Sequence, residues 1–169
     1  MPKARALPGR RLAWALVGVF VVSALIMPSG LHDASAGGPK YRYSKAEKCF
    51  MRKINRVRAQ HGQRRLNWDK QLGYVARRHA NTMANAGGVW HDHSLGRRVT
   101  RWRSLGQNTG AGGRCRKLFR SFMDSAPHRA NILGRFRYVG VGTQRKGNRL
   151  YVQQIFEWRR NPGNVWSWP

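Results

Sequence analysis

Apolar residues recur at helical intervals in two segments near the middle of the chain. Ser44 precedes the first segment, which runs to Gly62, and Asp69 precedes the second, which ends at Gly87 and Gly88. Ser and Asp are common helix N-caps, and glycine commonly ends helices. We therefore predict two helices. Their buried faces carry Phe50, Ile54 and Val57 in the first, and Leu72, Ala76, His79 and Met83 in the second.

In the second half of the chain the spacing of apolar residues changes from a helical to a strand period. A third helical face begins at Cys115 and includes Leu118, Phe119, Phe122 and Met123, and Ser125 with Pro127 predicts a short further helix through Leu133. Apolar residues then follow a strand pattern from Phe136 to Val141 and again from Leu150 to Phe156. The turn residues Lys146-Gly147-Asn148 between the two runs predict a hairpin.

The apolar residues of segment 89–113 follow neither the helical nor the strand period. The segment is rich in Gly, Arg, Ser and Thr, and we interpret it as an irregular loop with Trp90, Trp102 and Leu105 pointing inward. Because loops on a rigid scaffold often carry binding or catalytic groups, this segment is a candidate for the functional site.

The charge of the chain narrows its range of partners. The chain has 33 Lys and Arg residues but only 6 Asp and Glu residues, which gives a net charge of +27. A surface this positive attracts anionic polymers such as nucleic acid or acidic wall polymers, and anionic membranes. The alternative is a solvated, highly soluble surface without a dedicated ligand.

The first 36 residues have the organisation of an export signal. A basic start is followed by an apolar run from Leu12 to Met27 and by small residues at 34–36. We predict a signal peptide over 1–36, with an uncleaved membrane anchor as the alternative. A linker then spans 37–43, one globular domain spans 44–160, and an arm containing Trp166 and Trp168 spans 161–169.

Export also bears on the two cysteines, Cys49 and Cys115. Outside the cytoplasm such a pair most simply forms one disulfide, which would add roughly 4 kcal/mol to stability in the chain-entropy model. Two buried free thiols and a catalytic cysteine are the weaker alternatives.

A series of short motifs runs from Ser44 to Glu157. In chain order they are Ile54-Asn55 with Arg58, Leu66-Asn67-Trp68-Asp69, Ala76 and His79-Ala80 with Met83, Gly88-Val89-Trp90-His91, Gly106-Gln107-Asn108-Thr109-Gly110, residues 122–133, Val139-Gly140-Val141-Gly142, and residues 151–156. These motifs and their order resemble the CAP superfamily of cysteine-rich secretory, antigen-five and pathogenesis-related proteins, which share the SCP domain. The run from His128 to Leu133 is the most specific of them.

The resemblance implies a secreted, single-domain bacterial protein of the α+β class. Its fold would be an α-β-α sandwich, with a small antiparallel sheet between helical layers. In such proteins two histidines and two acidic residues line a central cleft, and some members hold a divalent cation there. His91 and His128 match the histidines, Gln107 replaces the first acidic residue, and the second position falls near Ser125, beside Asp124. Zinc at His91 and His128 is the metal site that the resemblance implies, although an amide at Gln107 lacks the charge that helps to hold Zn²⁺.

The expected function is that of a monomeric, non-enzymatic extracellular binding module. The cleft around His91, Gln107, Asp124, Ser125 and His128 would bind a small, lipid-like or sterol-like ligand, and the basic faces would bind an anionic surface. The alternative is a secreted phosphodiesterase-like hydrolase that uses the two histidines as general base and general acid, without a metal. A third interpretation is adhesion to polyanions with no chemistry in the cleft.

Overall fold

The structure, a computed structural model, describes residues 41–159, all of which belong to one compact unit. The predicted signal peptide (1–36), linker residues 37–40 and the arm at 161–169 with Trp166 and Trp168 lie outside the described residues. Within residues 41–159 no helix has the length and apolar character needed to cross a membrane.

Five helices and four strands make up the described part of the chain. The helices are α1 (Lys45–Gln60), α2 (Lys70–Ala86), α3 (Leu95–Arg98), α4 (Cys115–Asp124) and α5 (Ala126–Leu133). The strands are β1 (Asn67–Trp68), β2 (Trp102–Gly112), β3 (Tyr138–Lys146) and β4 (Arg149–Arg159).

The strands form a single sheet in the order β1-β3-β4-β2. β3 and β4 form the predicted hairpin, β2 pairs antiparallel with β4, and the short β1 pairs parallel with β3. The two edges of the sheet are therefore β1 and β2, which lie on opposite sides of the central hairpin.

Helices cover both faces of the sheet. Val139, Val141 and Phe156 share a buried cluster with residues of α1, α4 and α5, whereas Ile155, which points to the other face, packs against Leu72 of α2. Successive side chains of a strand point to opposite faces, so the apolar run of β4 serves two helical layers. The α-β-α sandwich predicted from the sequence is confirmed.

The helix starts follow local sequence signals. Ser44 and Glu47 form a capping box at α1, and the Asp69 side chain accepts a hydrogen bond of 3.0 Å from the Leu72 amide at the start of α2. Gly87, with a φ of 75°, ends α2 in the left-handed conformation.

The predicted disulfide is confirmed. Cys49 and Cys115 are bonded, which ties the first turns of α1 to the start of α4 across a sequence separation of 66 residues. The alternatives of free thiols or a catalytic cysteine are excluded for this pair.

The interpretation of residues 89–113 as an irregular loop was wrong for most of the segment. Residues 95–98 form α3, and residues 102–112 form the edge strand β2. β2 lacks the apolar alternation of a typical strand because several of its inward positions are glycines or polar residues whose side chains are hydrogen-bonded. Trp90 is also not an inward anchor, since it remains 36% exposed, although Trp102 and Leu105 are partly buried.

Candidate functional site

The site predicted around His91, Gln107 and His128 is organised by the edge strand β2. Gln107 and Asn108 are neighbours in β2 and therefore point to opposite faces of the sheet. Gln107 faces the α2 layer and Asn108 faces the layer of α4 and α5. Each of the two side chains holds a different segment against the edge.

Gln107 fastens the segment that carries His91. Its Oε1 accepts hydrogen bonds of 2.9 Å from the Asp92 amide and 2.9 Å from Gln153 Nε2, and its Nε2 donates to the Asp92 carbonyl at 3.2 Å. Both ends of the amide are thus used within the protein. A carboxylate could accept from the Asp92 amide but could not donate to its carbonyl, so this loop clamp depends on glutamine.

Asp92 stabilises the same loop from within. The residue is only 5% exposed, and its carboxylate accepts from the Ser94 amide at 2.9 Å and from Arg98 at 3.2 Å. The adjoining His91 and His93 are exposed. These three residues are adjacent in sequence, but Asp92 points inward and is committed to holding the backbone.

Asn108 fastens the segment that carries His128. Its Nδ2 donates to the His128 carbonyl at 3.1 Å and to Gln154 Oε1 at 3.0 Å. Asn131 of α5 in turn donates to Asn108 Oδ1 at 2.9 Å and to the Gln107 carbonyl at 3.1 Å. The start of α5 is therefore fixed to the edge strand by a network of amide hydrogen bonds.

The two histidines interact across this edge. His128 is half-buried, with its ring against Phe122 at a centroid distance of 5.0 Å. Burial lowers the pKa of His128, and the positive charge of His91 lowers it further. The structure thus brings His91 within electrostatic range of His128, and it favours the neutral form of the His128 imidazole.

The remaining predicted cleft residues lie at the junction of α4 and α5. Asp124 is the last residue of α4 and is exposed. Ser125 is half-buried, its amide donates to the Ser121 carbonyl at 3.2 Å, and its side chain makes no capping hydrogen bond to α5. Arg129 donates to the Met123 carbonyl at 2.6 Å and so satisfies the backbone at the end of α4.

The sequence of this domain matches a known protein family. Residues 51–158 match the model of the CAP family, described as the cysteine-rich secretory protein family. This chain belongs to the CAP family. No curated protein matches the chain in sequence.

Solved structures show the same fold. An outer surface protein of Borrelia burgdorferi is similar with a TM-score of 0.65 at 13% identity, over 71% of this chain and 97% of that one. An extracellular SCP-domain protein of Bacillus anthracis has a TM-score of 0.57 at 23% identity, over 68% of this chain and 40% of that one. A cysteine-rich secretory protein of Staphylococcus aureus has a TM-score of 0.57 at 21% identity, over 70% of this chain and 40% of that one.

The residues predicted to line the cleft do not fit a divalent cation. Within residues 41–159 no three His, Cys, Asp or Glu side chains come together as a metal-binding group. Gln107 uses its Oε1 for two protein donors, and the carboxylate of Asp92 is paired with Arg98. His91 and His128 are left without a carboxylate ligand, whereas zinc sites normally need at least three protein ligands.

Sequence reasoning missed three amides that complete the CAP site: Asn131, Gln153 and Gln154. The two glutamines are fully buried in β4 and support Gln107 and Asn108 on opposite faces of the sheet. A signal for them was present, because two adjacent glutamines interrupt an apolar strand. Buried amides need hydrogen-bond partners, so their position predicted a polar network at this point of the sheet.

The coupling of the two histidines can be measured by NMR titration of the imidazole signals. We expect His128 to titrate below the ordinary histidine pKa of about 6.5. His91→Ala should raise the pKa of His128 by removing a positive charge, yet leave it below the ordinary value because burial is the larger cause. A His128 pKa unchanged by His91→Ala would contradict the proximity of the two rings.

The lowered pKa of His128 makes the stability of the domain depend on pH. Because the folded pKa of His128 is lowered, the unfolded chain binds more protons, and stability is lost as pH falls through about 6.5. His128→Asn should reduce this loss, which urea unfolding between neutral and mildly acidic pH would measure.

Proposed function

We propose that this CAP protein is a secreted, non-enzymatic binding module that attaches to anionic polymers through its basic surface. The observation that carries the proposal is the excess of positive charge, with 33 Lys and Arg residues against 6 Asp and Glu residues. Glu47 pairs with Arg77 at 2.6 Å, Asp92 with Arg98 at 3.2 Å, and Asp69 and Glu157 both pair with Arg159. Each acidic group cancels no more than one positive charge, so most Lys and Arg side chains keep an uncompensated charge that attracts polyanions.

We also propose that a cavity beside Gln107 binds a small ligand. It has a volume of about 320 Å³, and Leu95, Trp102 and Leu105 line it together with Asp92 and Gln107. A concave site that combines apolar side chains with polar groups is typical of small-molecule sites, and this volume is at the small end of their range.

The polymer proposal is tested by titrating the purified protein with heparin over a series of NaCl concentrations. We expect the logarithm of Kd to rise linearly with the logarithm of salt concentration, because binding releases counterions from the polymer. His91→Ala and His128→Ala should bind equally well, since the polymer contacts the basic surface. Absence of binding at low salt would overturn the proposal.

The second candidate function is a metal-independent phosphodiesterase, and the lowered pKa of His128 is the observation that favours it. A neutral imidazole can accept a proton at pH 7 while a neighbouring protonated imidazole donates one. Incubation of the protein with RNA in the presence of a chelator tests it. Cleavage that disappears in both His91→Ala and His128→Ala would establish this activity, and intact RNA at high protein concentration would exclude it.

A further inference from the structure

Two cavities lie on either side of the loop between α1 and β1. One, of about 570 Å³, is lined in part by Gln63, Arg64 and Trp158, and the other, of about 700 Å³, in part by Arg65 and Trp68. Consecutive loop residues thus face both cavities. We call the two cavities, with the loop between them, the basic groove.

The basic groove carries a high density of guanidinium groups. Arg52, Arg56 and Arg65 line the larger cavity, and Arg64, Arg135 and Arg137 line the smaller one. No acidic residue lines either cavity, and none of these six arginines takes part in an ion pair within residues 41–159. Arg52 and Arg56 are exposed and one helical turn apart on α1, so both can reach one extended anion.

Each cavity also contains a tryptophan. Trp68 is 38% exposed, and the ring of Tyr43 meets it edge-on at a centroid distance of 5.5 Å, which orients the indole. In the other cavity the guanidinium of Arg137 lies 4.7 Å from the centre of the Trp158 ring. Large flat rings among cations can stack against a planar, electron-rich group while the arginines hold its charge.

We propose that the basic groove binds single-stranded nucleic acid. The proposal rests on the function proposed above and names the class of polymer. The phosphates pair with the guanidinium groups of the arginines, and unpaired bases stack on Trp68. Proteins that bind single strands without sequence preference combine these two interactions. A duplex hides its base faces, and a sulfated sugar polymer can pair with the arginines but offers no aromatic base to stack on Trp68.

The histidine site does not line the groove, since neither cavity includes His91, Gln107 or His128. Trp68 belongs to β1, at the edge of the sheet opposite β2, although the smaller cavity reaches β2 at Ser104. Binding in the groove should therefore be independent of His91 and His128.

The experiment measures fluorescence anisotropy with three labelled or competing polymers: oligo(dT), an abasic oligonucleotide of equal length, and heparin. Trp68→Ala should weaken oligo(dT) binding by about tenfold, the typical loss for one stacked base, and leave abasic and heparin binding unchanged. Trp68→Tyr, which keeps a stacking ring, should restore most of the oligo(dT) affinity and guards against a folding defect.

Charge is tested with a matched pair of double variants. Arg52→Gln/Arg56→Gln removes two charges from the groove, and Arg116→Gln/Arg120→Gln removes two charges at the same spacing from the exposed side of α4. Only the first should weaken oligo(dT) binding strongly, and it should reduce the salt slope by roughly 0.7 for each phosphate that the variant no longer neutralises.

The outcomes separate this inference from the proposed function. Loss of binding to every polymer would overturn both. Tight heparin binding with no preference for oligo(dT) over the abasic strand, or equal effects of the two double variants, would overturn the nucleic-acid groove alone. In that case the protein would be a general polyanion binder.

Discussion

Gly142→Ala is expected to destabilise the domain by about 3 kcal/mol or more, since a methyl group at this position has no room. A Cβ atom on Gly142 would meet the backbone of Ala76 and Arg77, and one on Gly140 would meet Leu72 and Gly73. The backbone atoms among these cannot rotate away as a side chain can. The two glycines therefore set the distance between β3 and α2, and any larger residue pushes the helix off the sheet.

Urea unfolding followed by circular dichroism measures the effect. Gly113→Ala provides the control, because no atom lies within 4 Å of the added Cβ at that exposed position. Its midpoint should match or slightly exceed that of the wild type. Equal midpoints for Gly142→Ala and Gly113→Ala would contradict the close packing of α2 on β3.

Glu47→Ala is expected to cost about 3 kcal/mol, because Glu47 is a fully buried carboxylate with several donors. Its oxygens accept from Arg77 at 2.9 and 2.6 Å, from the Ser44 amide at 2.7 Å and from the Thr143 amide at 3.2 Å. The substitution leaves these donors unpaired and opens a cavity under the start of α1. Arg77 is partly exposed and can regain water, which keeps the cost at the lower end for a buried ion pair.

Thermal unfolding of Glu47→Ala and Asp124→Ala compares the loss of a buried and an exposed carboxylate. Asp124 is exposed at the end of α4, so its removal should change the free energy of unfolding by no more than about 0.5 kcal/mol. Both variants change the net charge equally. A similar loss of stability in the two would show that charge, and not the hydrogen bonds of Glu47, decides the result.

Most helices and strands were predictable because cap residues, turn residues and hydrophobic periodicity mark them within a short stretch of sequence. Ser44 and Asp69 cap the helices expected of them, and the hairpin turns at Gly147 as predicted. The histidines could be named from the family motifs. Their proximity and the lowered pKa of His128 could not be derived from spacing, since both depend on how α5 and the loop at His91 meet β2.

β2 shows why local signals failed at the site itself. Its residues 102–112 include three glycines and the hydrogen-bonded Gln107 and Asn108, so the alternation that marks a strand is missing. Its partner β4 supplies the pairing, and the paired residues are 38 (Gly112 and Leu150) to 57 (Trp102 and Arg159) positions apart in the chain. Polar networks of this kind are specified by contacts distant in sequence, which no local window contains.

By itself, the sequence determined four of the five helices, the hairpin, the disulfide partners and the excess of positive charge, because these follow from nearby residue patterns and from composition. The tertiary structure alone decided the strand at residues 102–112, the role of Gln107 as a clamp for Asp92, and the grouping of Trp68 with arginines of α1. Each of these depends on which residues meet when the layers pack, and that is settled by long-range burial and hydrogen bonding.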